Sequence, residues 1–425
     1  MGSQNKCLLN KYTLRSKDIP LVKFSLYKTD NIDFGIAAAS YDIEITHIYN
    51  ENKKLFPKDF NENVDSSQLF IWIQRRKAPK NRHFVDKILS VFEEDGNPLK
   101  YVDISHALSL NDAYWITSDY SQDKWADFNL YEHPFDEVLQ QVAFTGYSRK
   151  ISGVITSPEI TSKGALKKCW SNRKNGIYLI KGDSMARSDG RSQITAEFYA
   201  AQVAAVMNIP HIKYDLEMFS HKDGKKELIC TCKLFTSADV GYLDAFTYFK
   251  SEGIDIEHIN SADPAVQAHL SKLYGKDAYA DMMLFDAVIG NQDRHYGNFG
   301  MLVDNNTGKI LKPAPIFDNG FSLLYGAADQ DLNDLETYIK EHLECRYLPP
   351  DMQAKWFVQK RHLSSLRRLI NFKFEKHPKY NVEDKTLEIL NKFIQIRARR
   401  TIELYHEKAQ ELKRLRGIQK DSGMN

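Results

Sequence analysis

Between about residues 18 and 50, apolar and polar positions alternate along the chain. Ile43 and Ile45, for example, flank a polar residue, and this spacing predicts short strands with one buried face. Residues 66–93 show helical spacing instead. The pattern therefore predicts an α+β extension over residues 1–140, with no concentration of reactive side chains. This extension is expected either to bind a partner or to buttress the small domain that follows.

The middle of the chain has the pattern of a small unit rich in strands. The predicted elements are strands at about 176–182, 211–218 and 227–235 and a helix at 192–207. Alternation in the first strand places Lys181 on the same face as Leu179, and Ser192 is suited to cap the helix. These elements indicate a small β-rich domain over residues 141–236.

Helical spacing dominates the remaining sequence. Helices are predicted at about 239–252, 264–273 and 276–289, and again through most of 330–418, where a long basic helix begins near residue 384. A turn at Asp304–Gly308 lies between two short apolar runs and predicts a hairpin. Residues 237–425 are therefore expected to form a helical domain.

Composition narrows the class of protein. With 425 residues the chain exceeds the usual size of one core, and 58 basic against 56 acidic residues give no general attraction to nucleic acid or membrane. Five scattered cysteines argue against a disulfide framework and fit a reducing compartment, and Cys230 and Cys232 lack a second pair for zinc. No signal peptide or membrane-spanning run is present, so a cytoplasmic protein without membrane contact is expected.

Residues 290–300, GNQDRHYGNFG, concentrate reactive side chains after a predicted helix. Asp293 precedes Asn298 by five positions, the spacing at which a kinase catalytic loop presents a substrate-orienting carboxylate and a metal-binding amide. Asp318, followed by Asn319-Gly320, comes after the hairpin and occupies the place of the second metal ligand. Together these positions favour phosphoryl transfer over a surface turn.

Two residues further upstream complete the set of side chains that phosphoryl transfer needs. Lys181 ends a strand and Glu197 lies on the next helix, the order of a phosphate-binding lysine held by a glutamate. The succession of loop, lysine, glutamate, helices, catalytic loop and acidic turn is that of a bilobal kinase. The predicted fold class is therefore α+β, a kinase-like fold with a small β-rich lobe, a helical lobe and an N-terminal extension.

The motifs also resemble a known family. The loop Asp293-x-His295-x-x-Asn298 and the segment Pro313-Ala-Pro-Ile-Phe-Asp318 look like the catalytic loop and metal-binding segment of HipA-like serine/threonine kinases. This resemblance implies ATP and Mg²⁺ as cofactors, Asp293 as base, Asn298 and Asp318 as metal ligands, and Lys181 on the phosphates. His295 is expected in the catalytic set as a brace of the loop.

The resemblance also predicts where the nucleotide lies. The adenine is expected against the end of an apolar strand, near Cys232, Lys233 and Phe235, where main-chain groups can read its edge. Lys233 departs from the acidic residue common in the family. Gly153 is expected to approach the phosphates, and Ser148, Ser152, Thr156 and Ser157 are candidates for regulatory phosphorylation of that loop.

Other functions stay open at this point. The Asp-Arg-His-x-x-Asn pattern also resembles phosphatidylinositol kinases, although residues 321–343 are net acidic where a lipid kinase needs a basic loop, which favours a protein hydroxyl as acceptor. A pseudokinase or a DNA-binding regulatory module is a further alternative, with direct DNA contact disfavoured by the balanced charge. Because HipA-like kinases often act as toxins, an antitoxin-like protein partner is also expected.

Overall fold

A computed structural model describes most of the chain. The described residues are 5–33, 36–60, 63–79, 84, 97–145, 157–162, 167–183, 186–221 and 224–422. The second part of the helix predicted over 66–93 therefore lies outside the described residues, as do Gly153 and the loop positions Ser148, Ser152 and Thr156.

An antiparallel sheet forms the N-terminal part of the molecule. Its strands are β1 Asn5–Ser16, β2 Ile19–Asp33, β3 Ile36–Ile48 and β4 Tyr114–Ser118, in the order β3-β2-β1-β4. The strands β1 to β3 are long, whereas the sequence pattern predicted short ones. The difference arises because register shifts at Leu8/Asn10 and Lys23/Phe24 interrupt the alternation without ending the pairing. The helices beside this sheet are α1 Ser66–Arg75, α2 Lys100–Ser105, α3 Trp125–Phe128 and α4 Glu137–Thr145.

A second antiparallel sheet, here called the central sheet, follows. It consists of β5 Lys168–Arg173, β6 Gly176–Gly182, β7 Tyr214–Ser220 and β8 Lys226–Lys233, in the order β5-β6-β8-β7. Helix α5, Gln193–Val206, connects β6 to β7 and begins as predicted at Ser192, whose hydroxyl accepts from Thr195 N in a capping box. The two faces of the central sheet pack against different parts of the molecule.

One face of the central sheet shares a core with the N-terminal sheet. Cys169, Ile180 and Ile229 are buried in the same cluster as Leu14 and Phe24 of the N-terminal strands. The opposite face, with Leu216, Cys230 and Cys232, packs against Ile194 and Ala201 of α5. The alternation of β6 and β8 thus separates a structural face from the face that carries Lys181.

The domain boundaries at 140 and 236 stay predictions.

The remaining chain is mainly helical around a third small sheet. That sheet, ordered β11-β10-β9, contains β9 Val240–Asp244, β10 Gly300–Asp304 and β11 Ile310–Pro313, so the predicted hairpin is confirmed. The helices are α6 Ala245–Ser251, α7 Pro264–Tyr274, α8 Lys276–Ile289, α9 Leu335–Glu341, α10 Pro350–Phe357, α11 Leu363–Leu369 and α12 Asp384–Ser422.

The helix predicted over 239–252 is wrong in its first half. Residues 240–244 pair with β10, and Asp244 then caps α6 by accepting from Thr247 N. No helix among the described residues is both long and apolar enough to cross a membrane.

Candidate active site

Lys181 lies at the centre of the candidate site. Its Nζ is 2.6 Å from Glu197 Oε1 and 2.7 Å from Asp318 Oδ1. The Lys181 side chain is 9% exposed and Glu197 is buried, whereas the Asp318 side chain keeps 38% of its surface exposed. The structure thus brings together three of the residues singled out in the sequence, from β6, α5 and the turn after β11.

The charges of this triad shift its pKa values. Burial alone would favour neutral Asp318, but the Lys181 ammonium outweighs it and holds the pKa of Asp318 well below its usual value. Burial would likewise lower the pKa of Lys181, yet the carboxylates of Asp318 and Glu197 raise it well above its usual value. Lys181 and Asp318 are therefore an ion pair at neutral pH.

The main chain around Asp318 is fixed in an uncommon conformation. Asp318 has φ +59°, in the left-handed region, and its N–H donates to the hydroxyl of Tyr214 at 3.2 Å. The N–H of Asn319 donates to Glu197 Oε2 at 2.8 Å. The sequence analysis missed Tyr214, because a tyrosine in a predicted strand is expected to be an ordinary packing residue.

The catalytic-loop residues follow α8 directly. Gly290 ends the helix with φ +65°, and a Cβ there would come within 2.6 Å of Leu343 Cδ1, so both conformation and space require glycine. The side chain of Asn298 donates through Nδ2 to Asp293 O at 2.8 Å. The five-residue spacing thus closes a loop in which Asn298 holds the main chain of Asp293.

The carboxyl group of Asp293 is half-buried. Burial raises the pKa of Asp293, and the Asp318 carboxylate adds to this effect, whereas the charges of His295, Arg346 and Arg294 oppose it. A carboxylate with a raised pKa accepts a proton more readily, which suits the role of a base.

His295 is exposed to solvent, whereas its neighbour Arg294 is buried. The imidazole of His295 is exposed, and its Nδ1 accepts from Gly297 N at 3.0 Å, which is a contact within the loop. Arg294 is 1% exposed and pairs with Asp286 on α8.

The strand end at 232–235 lies beside the same site. Cys232 is buried on the face that carries Lys181, and Phe235 stacks on Phe317 with ring centroids 5.5 Å apart. The side chain of Lys233 lies on the face opposite to Lys181, since Lys233 pairs with Tyr178. On that face its Cε would come within 2.8 Å of a Cβ at Gly176. Its main chain, but not its side chain, is therefore in a position to border a nucleotide.

The cysteines of this strand behave as packing residues. Burial raises the pKa of Cys230 well above its usual value and the pKa of Cys232 to about 12, so both thiols are protonated at neutral pH. Within the described ranges there is no group of three or more His, Cys, Asp or Glu side chains that could hold a metal ion.

Lys168 is a further cation at the site that the sequence analysis did not identify. It is directly opposite Lys181 in the β5-β6 pairing, so both side chains leave the same face of the sheet. Burial raises the pKa of Asp318; Lys181 lowers it, and the charge of Lys168 lowers it further. The position of Lys168 at the site depends on the pairing of β5 with β6, which no local pattern in the sequence shows.

The chain resembles HipA-like kinases in a segment of its sequence and in its fold. One segment of 164 residues, 36% of this chain, is 34% identical to the serine/threonine-protein kinase CtkA of Helicobacter pylori. The chain spans about half the length of that curated relative, 49%. No protein-family model matches the sequence.

A solved structure gives the same resemblance in fold over more of the chain. A chain from the toxin-antitoxin complex of HipA, HipB and operator DNA of Shewanella oneidensis MR-1 has a TM-score of 0.54 at 12% identity, covering 92% of this chain and 99% of that one. The crystal structure of H. pylori CtkA has a TM-score of 0.42 at 19% identity, covering 58% and 92%. The predicted resemblance to HipA-like kinases is confirmed.

Proposed function

We propose that this chain is a HipA-like serine/threonine protein kinase that transfers the γ-phosphoryl group of ATP, with Mg²⁺, to a protein hydroxyl and also to itself. The observation that carries the proposal is the position of Lys181 Nζ between Glu197 and Asp318, on the cleft side of the central sheet. In this proposal the central sheet with α5 is the small lobe and the α6 to α12 region is the helical lobe.

Asp293 has the role of the base. Its carboxylate orients the acceptor hydroxyl and takes up the proton as the oxygen attacks, and the raised pKa that burial gives Asp293 favours this transfer. Lys181 and Lys168 neutralise phosphate charge from one sheet face. Glu197 keeps Lys181 extended toward the cleft, so catalysis rests on positioning and electrostatics.

The residues present fit Mg²⁺ and ATP. Within the described residues, Asn298 Oδ1 and Asp318 Oδ2 accept no hydrogen bond, while the other polar atom of each side chain is already engaged. Magnesium in phosphoryl-transfer sites takes one or two protein oxygens and completes its shell with phosphates and water, so two such ligands suffice. Bound Mg²⁺ would neutralise charge on the transferred phosphoryl group.

The cleft beside Phe235 fits the adenine. No partner in the described part of the chain accepts from the N–H of Phe235, whereas the N–H of Leu234 already donates to Ile177 O. A main-chain donor is therefore available next to the stacked rings of Phe235 and Phe317, and this supports the predicted adenine position.

The partner and the compartment are proposals as well. The described cysteines are all free, which fits the reducing cytoplasm. The likeness to a chain solved with HipB and operator DNA supports an antitoxin-like protein as partner.

The purified chain should be incubated with labelled ATP and Mg²⁺, alone and with casein as acceptor. We expect labelled protein, and a loss of about 100- to 10,000-fold in rate for Asp293→Ala, because the base is removed. Asp255→Ala, which changes an exposed carboxylate of the helical region, is the matched control and should keep the wild-type rate.

Two results would contradict this proposal. Equal labelling of wild type and Asp293→Ala would remove Asp293 from the reaction. In a parallel incubation with phosphatidylinositol vesicles, labelled lipid without labelled protein would make the chain a lipid kinase.

A further inference from the structure

Arg294 follows the proposed base, but its side chain points into the protein. The guanidinium pairs with Asp286 of α8 through two hydrogen bonds, Nε to Oδ2 at 2.9 Å and Nη2 to Oδ1 at 3.0 Å. Both side chains are 1% exposed. This two-pronged geometry is the one in which arginine binds a carboxylate or a phosphate most strongly.

The other donors of Arg294 join the two segments that carry the proposed metal ligands. Nη1 donates to Asn298 O at 2.9 Å and to Phe317 O at 2.5 Å, and Nη2 donates to Asn319 Oδ1 at 2.5 Å. A guanidinium has five N–H groups. All five are engaged, so Arg294 has no donor left for a phosphate.

A second buried arginine holds the segment that follows Asp318. Arg191 is 2% exposed and donates through Nη1 to Leu324 O and Ala327 O, each at 2.8 Å, and through Nη2 to Asp329 Oδ1 at 2.8 Å. Arg191 directly precedes Ser192, the cap of α5. The segment is thereby fixed against the start of the helix that carries Glu197.

The serine and threonine hydroxyl groups of this segment are already used within the fold. Ser322 is buried and donates to Asn319 O at 2.7 Å. Thr337 donates to Asp334 Oδ2 at 2.8 Å, so a phosphate on it would meet a carboxylate rather than a cation.

We propose that Arg294 and Arg191 are positioning residues that make the site independent of phosphorylation in residues 319–349. This inference rests on the proposed kinase function. In many kinases a phosphate recruits arginines and orders the segment after the metal-binding turn. Here Asp286 supplies the anion for Arg294, and main-chain carbonyls with Asp329 occupy Arg191, so the ordered state needs no prior modification.

The test uses the full chain freed of phosphate by an immobilised phosphatase, with intact mass confirming the unmodified state. ADP formation with Mg-ATP and casein is then followed from the first seconds. We expect a linear course whose slope is unchanged by preincubation with Mg-ATP. A lag that shortens with enzyme concentration, or a severalfold faster rate after preincubation, would overturn the inference and leave the kinase function standing.

Two variants test the positioning role. For Arg294→Lys we expect kcat to fall about 100-fold, because displacement of the loop by about 1 Å has that effect, with the KM for ATP changed less than about threefold. Asn319→Ala, which removes one acceptor and keeps the Asp286 pair, should lower kcat by a smaller factor.

Arg361→Lys is the matched control, since Arg361 pairs with Asp281 on the same helix, away from the site. It should keep the wild-type kcat. A melting temperature and an ATP-induced rise of that temperature establish that each variant is folded. A folded Arg294→Lys with kcat within threefold of wild type would contradict the positioning role, and absence of any ADP formation by wild type would remove the kinase function and this inference together.

Discussion

Lys181 and Asp318 are 137 positions apart in the chain and 2.7 Å apart at the site. The sequence singled out both, because each fits a spaced motif. It could not identify Tyr214 or Lys168, since their contribution depends on which strands pair and not on any local pattern.

Lys168→Gln tests the second cation on the sheet face. Because Lys168 is directly opposite Lys181 and its charge acts on Asp318, we expect it to attract the phosphates together with Lys181, and its loss should weaken ATP binding about tenfold. Adenosine, which has no phosphates, should bind with unchanged affinity. Calorimetric titration with both ligands measures the difference.

Lys174→Gln is the control for this prediction, since it removes a lysine from the exposed end of the same hairpin. It should leave both affinities unchanged. Equal loss of ATP and adenosine binding in Lys168→Gln would instead point to a general disturbance of the sheet.

At the scale of elements, α5 connects stability with the site. Ser192 caps the helix that carries Glu197, whereas Asp263 caps α7, which carries none of the proposed site residues. We expect Ser192→Ala and Asp263→Ala each to lower the free energy of unfolding by about 1 kcal/mol. Only Ser192→Ala should also lower kcat/KM, because a frayed first turn displaces Glu197 from Lys181.

Urea denaturation and steady-state kinetics on both variants provide the measurement. Two cap variants of equal stability and equal kcat/KM would show that the start of α5 does not position Glu197.

Elements with strong local signals were predicted from the sequence, and those decided by pairing were not. The cap of α5 and the β10-β11 hairpin are set by Ser192 and by the turn at Asp304–Gly308. β5 was missed because most of its side chains are polar and only Cys169 is buried, and β9 was merged into a helix because only its pairing with β10 distinguishes it. Local pattern therefore predicted the turns and caps around the proposed site better than the strands whose pairing aligns them.

At the scale of the whole molecule, the N-terminal extension contacts both parts of the proposed kinase. Besides the shared core, Lys17 Nζ lies 2.8 Å from Asp239 Oδ1 and 2.7 Å from Asn306 Oδ1, which adjoin each other at one end of the β9-β10 pair. Tyr242 N donates to Asn111 O at 2.6 Å. These contacts join residues more than 100 positions apart, which composition and periodicity could not anticipate, and they favour the extension as a buttress.

Ile180→Ala tests whether the two sheets unfold as one unit. Ile180 is 3% exposed in the core that the N-terminal and central sheets share, so its truncation should cost about 2–5 kcal/mol. If the core is continuous, hydrogen exchange should accelerate in β1 and β2 as much as in β6 and β8. Leu390→Ala, in the separate core of the helical region, is the control and should leave β1 and β2 protected. Faster exchange in β6 and β8 alone would mean that the N-terminal sheet folds independently and only rests on the kinase.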